Sequence, residues 1–159
     1  MSGTIIPRGI SGMTTEVDSR IRQVLRDTRV IAVVGASSKE IRPSHSVMRF
    51  LLARGYRCIP VNPGLAGKEI LGQTVYASLA DIPEPVDMVD VFRASEAVAE
   101  LIEETLALPD HPRTVWLQLG VSDDAASAKA EAAGLEVVRE RCPAIEIPRL
   151  FPAGWKLGD

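Results

Sequence analysis

The stretch Val30-Ile-Ala-Val-Val-Gly-Ala-Ser-Ser-Lys-Glu-Ile-Arg-Pro-Ser-His45 (VIAVVGASSKEIRPSH) decides how the chain is read. Val30 to Val34 is a continuous, mostly β-branched run, the pattern of a strand buried on both faces at the centre of a parallel sheet. Gly35 closes it and permits a tight turn. Ser46 to Arg54 then sets Val47 and Leu51, and Met48 and Leu52, one turn apart, which predicts a helix capped by Gly55. Arg57 to Val61 returns as a second strand. Strand, helix and strand over about thirty residues make a βαβ unit, whose crossover is right-handed.

The alternation extends in both directions. Upstream, Val17, Ile21, Val24 and Leu25 lie at helical spacing within Glu16 to Asp27, with Thr15 and Asp18 in an approximate capping-box relation. Downstream, Asn62-Pro63-Gly64 is turn chemistry, Thr74-Val75-Tyr76 reads as a short strand and Met88 to Phe92 as a long one. Ser95 is placed to cap a helix carrying Ala97, Leu101, Ile102 and Thr105 on one face, and Thr114 to Leu119 is the next strand. Ser122 is placed to cap a further helix that Gly134 stops before the strand Leu135 to Val138. This order predicts an α/β fold: a Rossmann-like, doubly wound, mainly parallel sheet with helices on both faces. The expected division is a flexible N-terminal tail over residues 1–14, one nucleotide-binding domain over 15–148 and a C-terminal tail over 149–159. Phe151 and Trp155 favour docking of that last segment.

In such sheets ligands bind beyond the carboxyl ends of the strands, so the loop from Gly35 onward is the first candidate site. A dinucleotide GxGxxG loop needs later glycines where this chain has Ser37 and Glu40. An NAD site also favours an acid about twenty residues on, near the end of the second strand. Here Pro60-Val61-Asn62-Pro63 stands in its place. The loop still suits an anion, because Ser37 and Ser38 offer hydroxyl donors, Lys39 and Arg42 are cations, and a helix N-terminus follows. The simpler alternative is that Ser44 or Ser46 caps that helix and the cations are merely solvated.

With 159 residues the chain is long enough for a core without disulfides, and two cysteines, Cys58 and Cys142, form neither a disulfide framework nor a zinc spacing. No apolar run approaches the roughly 20 residues that span a bilayer, and the first thirteen residues lack the apolar core of a signal peptide. The expected setting is therefore cytoplasmic. A net charge of -3 leaves no surplus of cations for a nucleic-acid backbone, so phosphate recognition is expected to be local. Neither nucleic acid, membrane nor metal is expected as a partner.

Together GASSKEIRPSHSV, GYRCIPVNP, GKEILGQTVYASLADIP, VDMVDVFR, VWLQLG and VVRERC resemble the stand-alone CoA-binding domain proteins of bacteria, which are similar to the N-terminal domain of the succinyl-CoA synthetase alpha subunit. The likeness runs in order from Val30 to Glu146. It implies a Rossmann-like domain that binds coenzyme A or acyl-CoA without catalytic residues of its own, as a sensor, buffer or presenter. By the same resemblance Gly35, Ala36, Ser37 and Ser38 contact the diphosphate, with Lys39, Arg42 and Ser44 as further anion contacts and Lys68 as another phosphate partner. Val61, Asn62 and Pro63 wall the adenosine. Phe92 and Arg93, with Gln118, Leu119 and Gly120, line the path of the pantetheine arm. Which protein, if any, partners the chain is left open by the resemblance.

His45 and His111 lie outside any phosphohistidine setting, and no Ser-His-acid constellation is readable. Asp87, Asp90, Asp123 and Asp124 fall beside strands or at helix starts, where acids are usually structural. Cys142 is the sharper candidate: Arg139 and Arg141 flank it and favour a reactive thiolate that could pair with the thiol of CoA. The competing readings are an NAD(P)-binding oxidoreductase or redox sensor on the same fold, with Arg57 or Arg93 meeting an NADP phosphate, and an interaction module with a vestigial site.

Overall fold

The computed structural model describes residues 8–158, with side chains from Thr15 onward. In chain order the elements are α1 (Arg8–Asp27), β1 (Val30–Val34), α2 (Pro43–Ala53), β2 (Arg57–Val61), β3 (Glu69–Ile70), β4 (Gln73–Thr74), β5 (Met88–Val91), α3 (Val98–Leu106), β6 (Thr114–Leu117), α4 (Asp124–Ala132), β7 (Glu136–Val138) and α5 (Pro143–Leu150). Five strands form a parallel sheet in the order β2-β1-β5-β6-β7, and β3 and β4 form a separate antiparallel pair. The chain leaves β1 toward one edge and returns to β5 on its other side. Strand order therefore reverses between β1 and β5, where open α/β sheets offer a crevice.

Alternation along the strands builds two cores. Ile31, Val33, Cys58, Met88 and Trp116 face α1, α2 and α5, while Ala32, Val34, Val89, Val91 and Val115 face α3 and α4. The expected α/β fold with helices on both faces is the observed one. Trp116 is fully buried, and its Nε1 donates to Arg141 O at 2.8 Å, tying the loop after β7 to β6.

The helix starts differ from the sequence reading in instructive ways. α1 begins at Arg8, so Thr15 and Asp18 lie inside it rather than at its start; of the expected tail, residues 1–7 lie outside the described residues. Asp18 instead accepts both Arg149 nitrogens, at 2.7 and 3.1 Å, and that pairing lowers its pKa. α2 starts at Pro43, three residues before Ser46, because a proline at the first helical position loses no needed N–H. Ser95 opens a short 3-10 turn before α3 and caps nothing; its hydroxyl accepts from Ser122 N at 2.9 Å, tying two loops together. Asp123, not Ser122, caps α4 by accepting from Ala126 N at 3.0 Å. β4 lies at Gln73–Thr74, with Tyr76 bridging to Val61, and β6 ends at Leu117, two residues short of Leu119.

α5 crosses the expected 148/149 boundary. Beyond it Phe151 and Trp155 stack with centroids 4.6 Å apart, and Trp155 Nε1 donates to Tyr56 Oη at 3.1 Å. Tyr56 Oη in turn donates to Leu25 O at 2.6 Å, and burial pushes this phenol up to about 12, so it remains a donor at neutral pH. Leu157 N reaches Arg54 O at 2.7 Å. The C-terminal segment thus clasps the end of α1 to the end of α2.

One buried acid stands apart. Asp90 lies in register with Val33 and Trp116, has 0% exposure, and neither carboxyl oxygen has a hydrogen-bond partner among the described residues. Burial raises its pKa well above the usual carboxylate range and also drives the nearby Cys58 thiol up to about 12, with the Asp90 charge a secondary cause. The folded state therefore keeps a proton that the unfolded chain releases above about pH 4. Stability must fall as pH rises from there until the raised folded pKa is passed, by about 1.4 kcal/mol per pH unit for this one proton. Chemical denaturation of the wild type and Asp90→Asn across pH 4 to 8 should show the variant losing less stability with rising pH; parallel curves would reject the assignment.

Candidate functional site

The loop between β1 and α2 is held from below. Gly35 N and Ala36 N both donate to Val61 O, at 3.1 and 3.3 Å, so these two N–H groups are already engaged. Asn62 staples the two neighbouring loops, its Nδ2 donating to Ala36 O and its Oδ1 accepting from Gly64 N, each at 2.8 Å. Gly35 has φ +87°, and a Cβ there would lie 2.5 Å from Phe92 O. Glycine is thus required both by the turn and by the close approach of the β5 end.

Above this base the loop is open to an anion. Among the described residues the N–H groups of Ser37 and Ser38 donate to nothing, and Ser37 Oγ accepts from Lys39 N at 3.1 Å, leaving its own hydrogen free to donate. No side chain caps α2: Arg42 occupies the capping position, and Ser46 Oγ donates to Pro43 O instead. The simpler alternative, in which Ser44 or Ser46 caps the helix, is therefore not what the chain does. Of the first α2 N–H groups, His45 N and Ser46 N both donate to Arg42 O, at 3.0 and 3.4 Å, and Ser44 N has no partner among the described residues.

Two cavities meet here. The smaller, about 310 Å³, is bordered by Ser37, Lys39, Arg42, Ser44 and Phe92. The larger, about 530 Å³, is bordered by Val34, Val61, Pro63, Ser78, Leu79, Arg93 and Leu101, with Glu100 and Glu104 from α3. Gly35 and Asn62 border both and form the ridge between them. Both volumes fall within the range of about 300–1,000 Å³ usual for small-molecule sites.

Among the described residues the cations of the loop and the ridge lack partners, as does the Arg29 side chain before β1. Arg57, Arg139, Arg141 and Arg149 are paired with carboxylates, whereas among the described residues Lys39, Arg42, Lys68 and Arg93 have no ion pair and no side-chain hydrogen bond. Arg57 sits at the amino end of β2, away from the loop, and Glu84 grips it through two nitrogens at 3.0 and 3.2 Å. It is unavailable to an NADP phosphate. No group of three or more His, Cys, Asp or Glu side chains among the described residues could hold a metal ion.

The structure brings together Gly35, Ala36, Ser37, Lys39, Arg42, Ser44, Asn62 and Phe92 around the smaller cavity, and Val61, Pro63 and Arg93 around the larger. Ser38, Lys68, Gln118, Leu119 and Gly120 border neither. Gln118 is only 6% exposed with an unpartnered Oε1, while Leu119 stands 58% exposed beside it. The Cys142 side chain is 8% exposed, and the arginines expected to activate it are spent, Arg139 on Asp124 and Glu131 and Arg141 on Glu146. Sequence reasoning missed Glu100, Glu104 and Ser78. Their only local signal is the four-residue spacing of the glutamates on α3, and nothing in the chain order announces that they face Asn62 and Pro63 across a cavity.

Comparison with known proteins shows the family. Residues 29–148 match the family model described as the CoA binding domain. The chain is 36% identical over 124 residues to the uncharacterized protein YneT of Bacillus subtilis, covering 78% of this chain and 89% of that one. It is 33% identical over 86 residues to the alpha subunit of an ADP-forming acetate–CoA ligase I of Pyrococcus furiosus, covering 52% of this chain and 19% of that protein. A solved Thermus thermophilus structure, called cell-free ID.343, superposes with a TM-score of 0.79 at 42% identity, over 84% of this chain and 98% of that one. These matches bear out the resemblance carried by GASSKEIRPSHSV, PVNP, VFR and VWLQLG.

Proposed function

The chain belongs to the CoA binding domain family over residues 29–148, and from that membership we propose that it binds coenzyme A or an acyl-CoA across the paired cavities, as a non-catalytic sensor, buffer or presenter of the thiol or thioester. The observation that carries this reading is the group of unpaired cations beside an uncapped helix N-terminus, at the point where strand order reverses. Coenzyme A carries phosphates on both its diphosphate and its ribose. Ser37, Ser38, Lys39, Arg42 and Ser44 take the diphosphate in this reading, with Arg93 at the ridge as a further cation. Val61 and Pro63 lie against the adenosine, which an apolar wall suits better than an acid does.

Lys68, Gln118, Leu119 and Gly120 lie outside the cavity linings and enter only if the pantetheine arm runs on beyond the ridge. Cys142 has no part, because its sulfur is buried and its flanking cations are neutralised. The oxidoreductase reading is weakened by Asn62: it stands where an NAD site favours an acid, and both ends of its amide are committed to backbone groups.

Isothermal titration of ligand-stripped protein with CoA, dephospho-CoA, NAD and NADP tests the proposal. Saturable CoA binding, tighter than that of either dinucleotide, is expected. Binding of NAD or NADP with no CoA signal would overturn the reading, and no binding of any of the four would favour a vestigial site.

A further inference from the structure

Opposite charges border the two cavities. The smaller has Lys39 and Arg42 and no acid; the larger has Arg93 against two carboxylates, Glu100 and Glu104. The glutamates stand four residues apart on α3, which places them as neighbours on one face, with Cβ atoms about 5–6 Å apart. Neither has an ion-pair or hydrogen-bond partner among the described residues, although Arg93 borders the same cavity. They are therefore available to a ligand.

An ionised carboxylate only accepts hydrogen bonds. Two of them at the rim of a cavity repel phosphate and attract a donor, while Val61, Pro63, Leu79 and Leu101 offer apolar surface to the faces of a flat ring. Adenine presents an exocyclic amine at its edge. Hypoxanthine, of nearly the same size and shape, presents a carbonyl oxygen at that position, which a carboxylate repels, and carries its edge donor on the neighbouring ring nitrogen instead.

We infer that Glu100 and Glu104 select the base of the bound nucleotide: the larger cavity takes an amino-bearing purine whose exocyclic amine donates to this pair, and the acids turn the phosphates toward Lys39 and Arg42. The inference rests on the nucleotide-binding reading of the site and adds to it a means of orientation and of base choice. The ridge of Gly35 and Asn62 is where the ligand passes from the acidic half to the basic half.

ADP and IDP separate base reading from phosphate binding, since both carry a diphosphate and differ in the base alone. A hydrogen bond to a charged group supports a preference of about tenfold or more. Calorimetric titration of the wild type should show ADP binding at least about tenfold tighter than IDP, and Glu100→Gln combined with Glu104→Gln should bring the two within about threefold, because a glutamine amide can meet either base edge. Both side chains are exposed and outside the hydrogen-bond framework, so the double variant should fold. Equal affinities in the wild type, or a preference that the double variant retains, would overturn the inference. Titration with CoA beside them keeps the two readings apart: CoA binding without any ADP preference sinks only the base selection, and an ADP preference without CoA binding sinks only the coenzyme.

Discussion

Replacing Gly35 with alanine is expected to lower the melting temperature by about 10 °C or more and to abolish measurable CoA binding. Two costs add. At φ +87° an L-residue pays roughly 1–2 kcal/mol for the left-handed conformation, and the new Cβ would sit 2.5 Å from Phe92 O and 2.9 Å from Phe92 C, which are backbone atoms at the end of β5. That contact cannot be relieved by rotating a side chain. Either the loop lifts away from Val61 O, breaking the Gly35 and Ala36 hydrogen bonds, or β5 shifts against β1. Strain of this kind belongs to the few mechanisms that reach several kcal/mol, and in a domain of this size each kcal/mol moves the melting temperature by about 2–4 °C.

Gly67 supplies the internal control. Its φ is +86°, nearly that of Gly35, but nothing lies within 4 Å of where its Cβ would stand. Gly67→Ala should therefore show the conformational cost alone, about 1–2 kcal/mol, with CoA affinity retained. If thermal melts placed the two variants together, the close approach to Phe92 would not be what demands glycine at position 35.

The residues that made the fold legible are those whose local chemistry has one outcome. Val30 to Val34 and Met88 to Val91 can hide their apolar side chains only as central strands, and the structure pairs them with each other in parallel. The missed helix α5 shows the limit. Its buried positions Pro143, Glu146, Ile147 and Leu150 have helical spacing, but prolines at 143 and 148 and a buried glutamate disguise the pattern. Glu146 is tolerated inside because Arg141 and Arg149 meet it at 2.8 and 2.7 Å, partners that only tertiary folding supplies. Ser95 and Ser122 fail as caps for a related reason: each had a local role available, and a contact between distant loops took precedence.

The candidate site divides the same way. Gly35 and the cations after it were visible because phosphate chemistry needs them contiguous in one loop. The acid pair on α3 was not, since its relation to Asn62 and Pro63 depends on the crossover that sets α3 beside the end of β2. Asn62 was visible as a residue but its part was not: it reads as a ligand contact, and its amide is a clamp between loops.

Removing the loop's charge should cost affinity while leaving the fold intact. Lys39→Ala combined with Arg42→Ala is expected to weaken CoA binding by about 100-fold at low salt. Charge-assisted hydrogen bonds contribute about 1.5–3 kcal/mol each, and two at the lower end already give about 3 kcal/mol, a factor of somewhat more than 100. Both cations are solvent-exposed, so screening takes part of this, and the difference between wild type and variant should shrink as salt rises through a Debye length of about 10 Å at 0.1 M. Stability should hardly change, because neither side chain has a partner in the folded chain to lose. That combination, a large salt-dependent loss of affinity with an unmoved melting temperature, is what a binding cation predicts and a structural one does not. An affinity unchanged within threefold at low salt would mean that the phosphates lie elsewhere. Arg93, unpaired at the ridge and bordering only the larger cavity, would then be the next cation to remove.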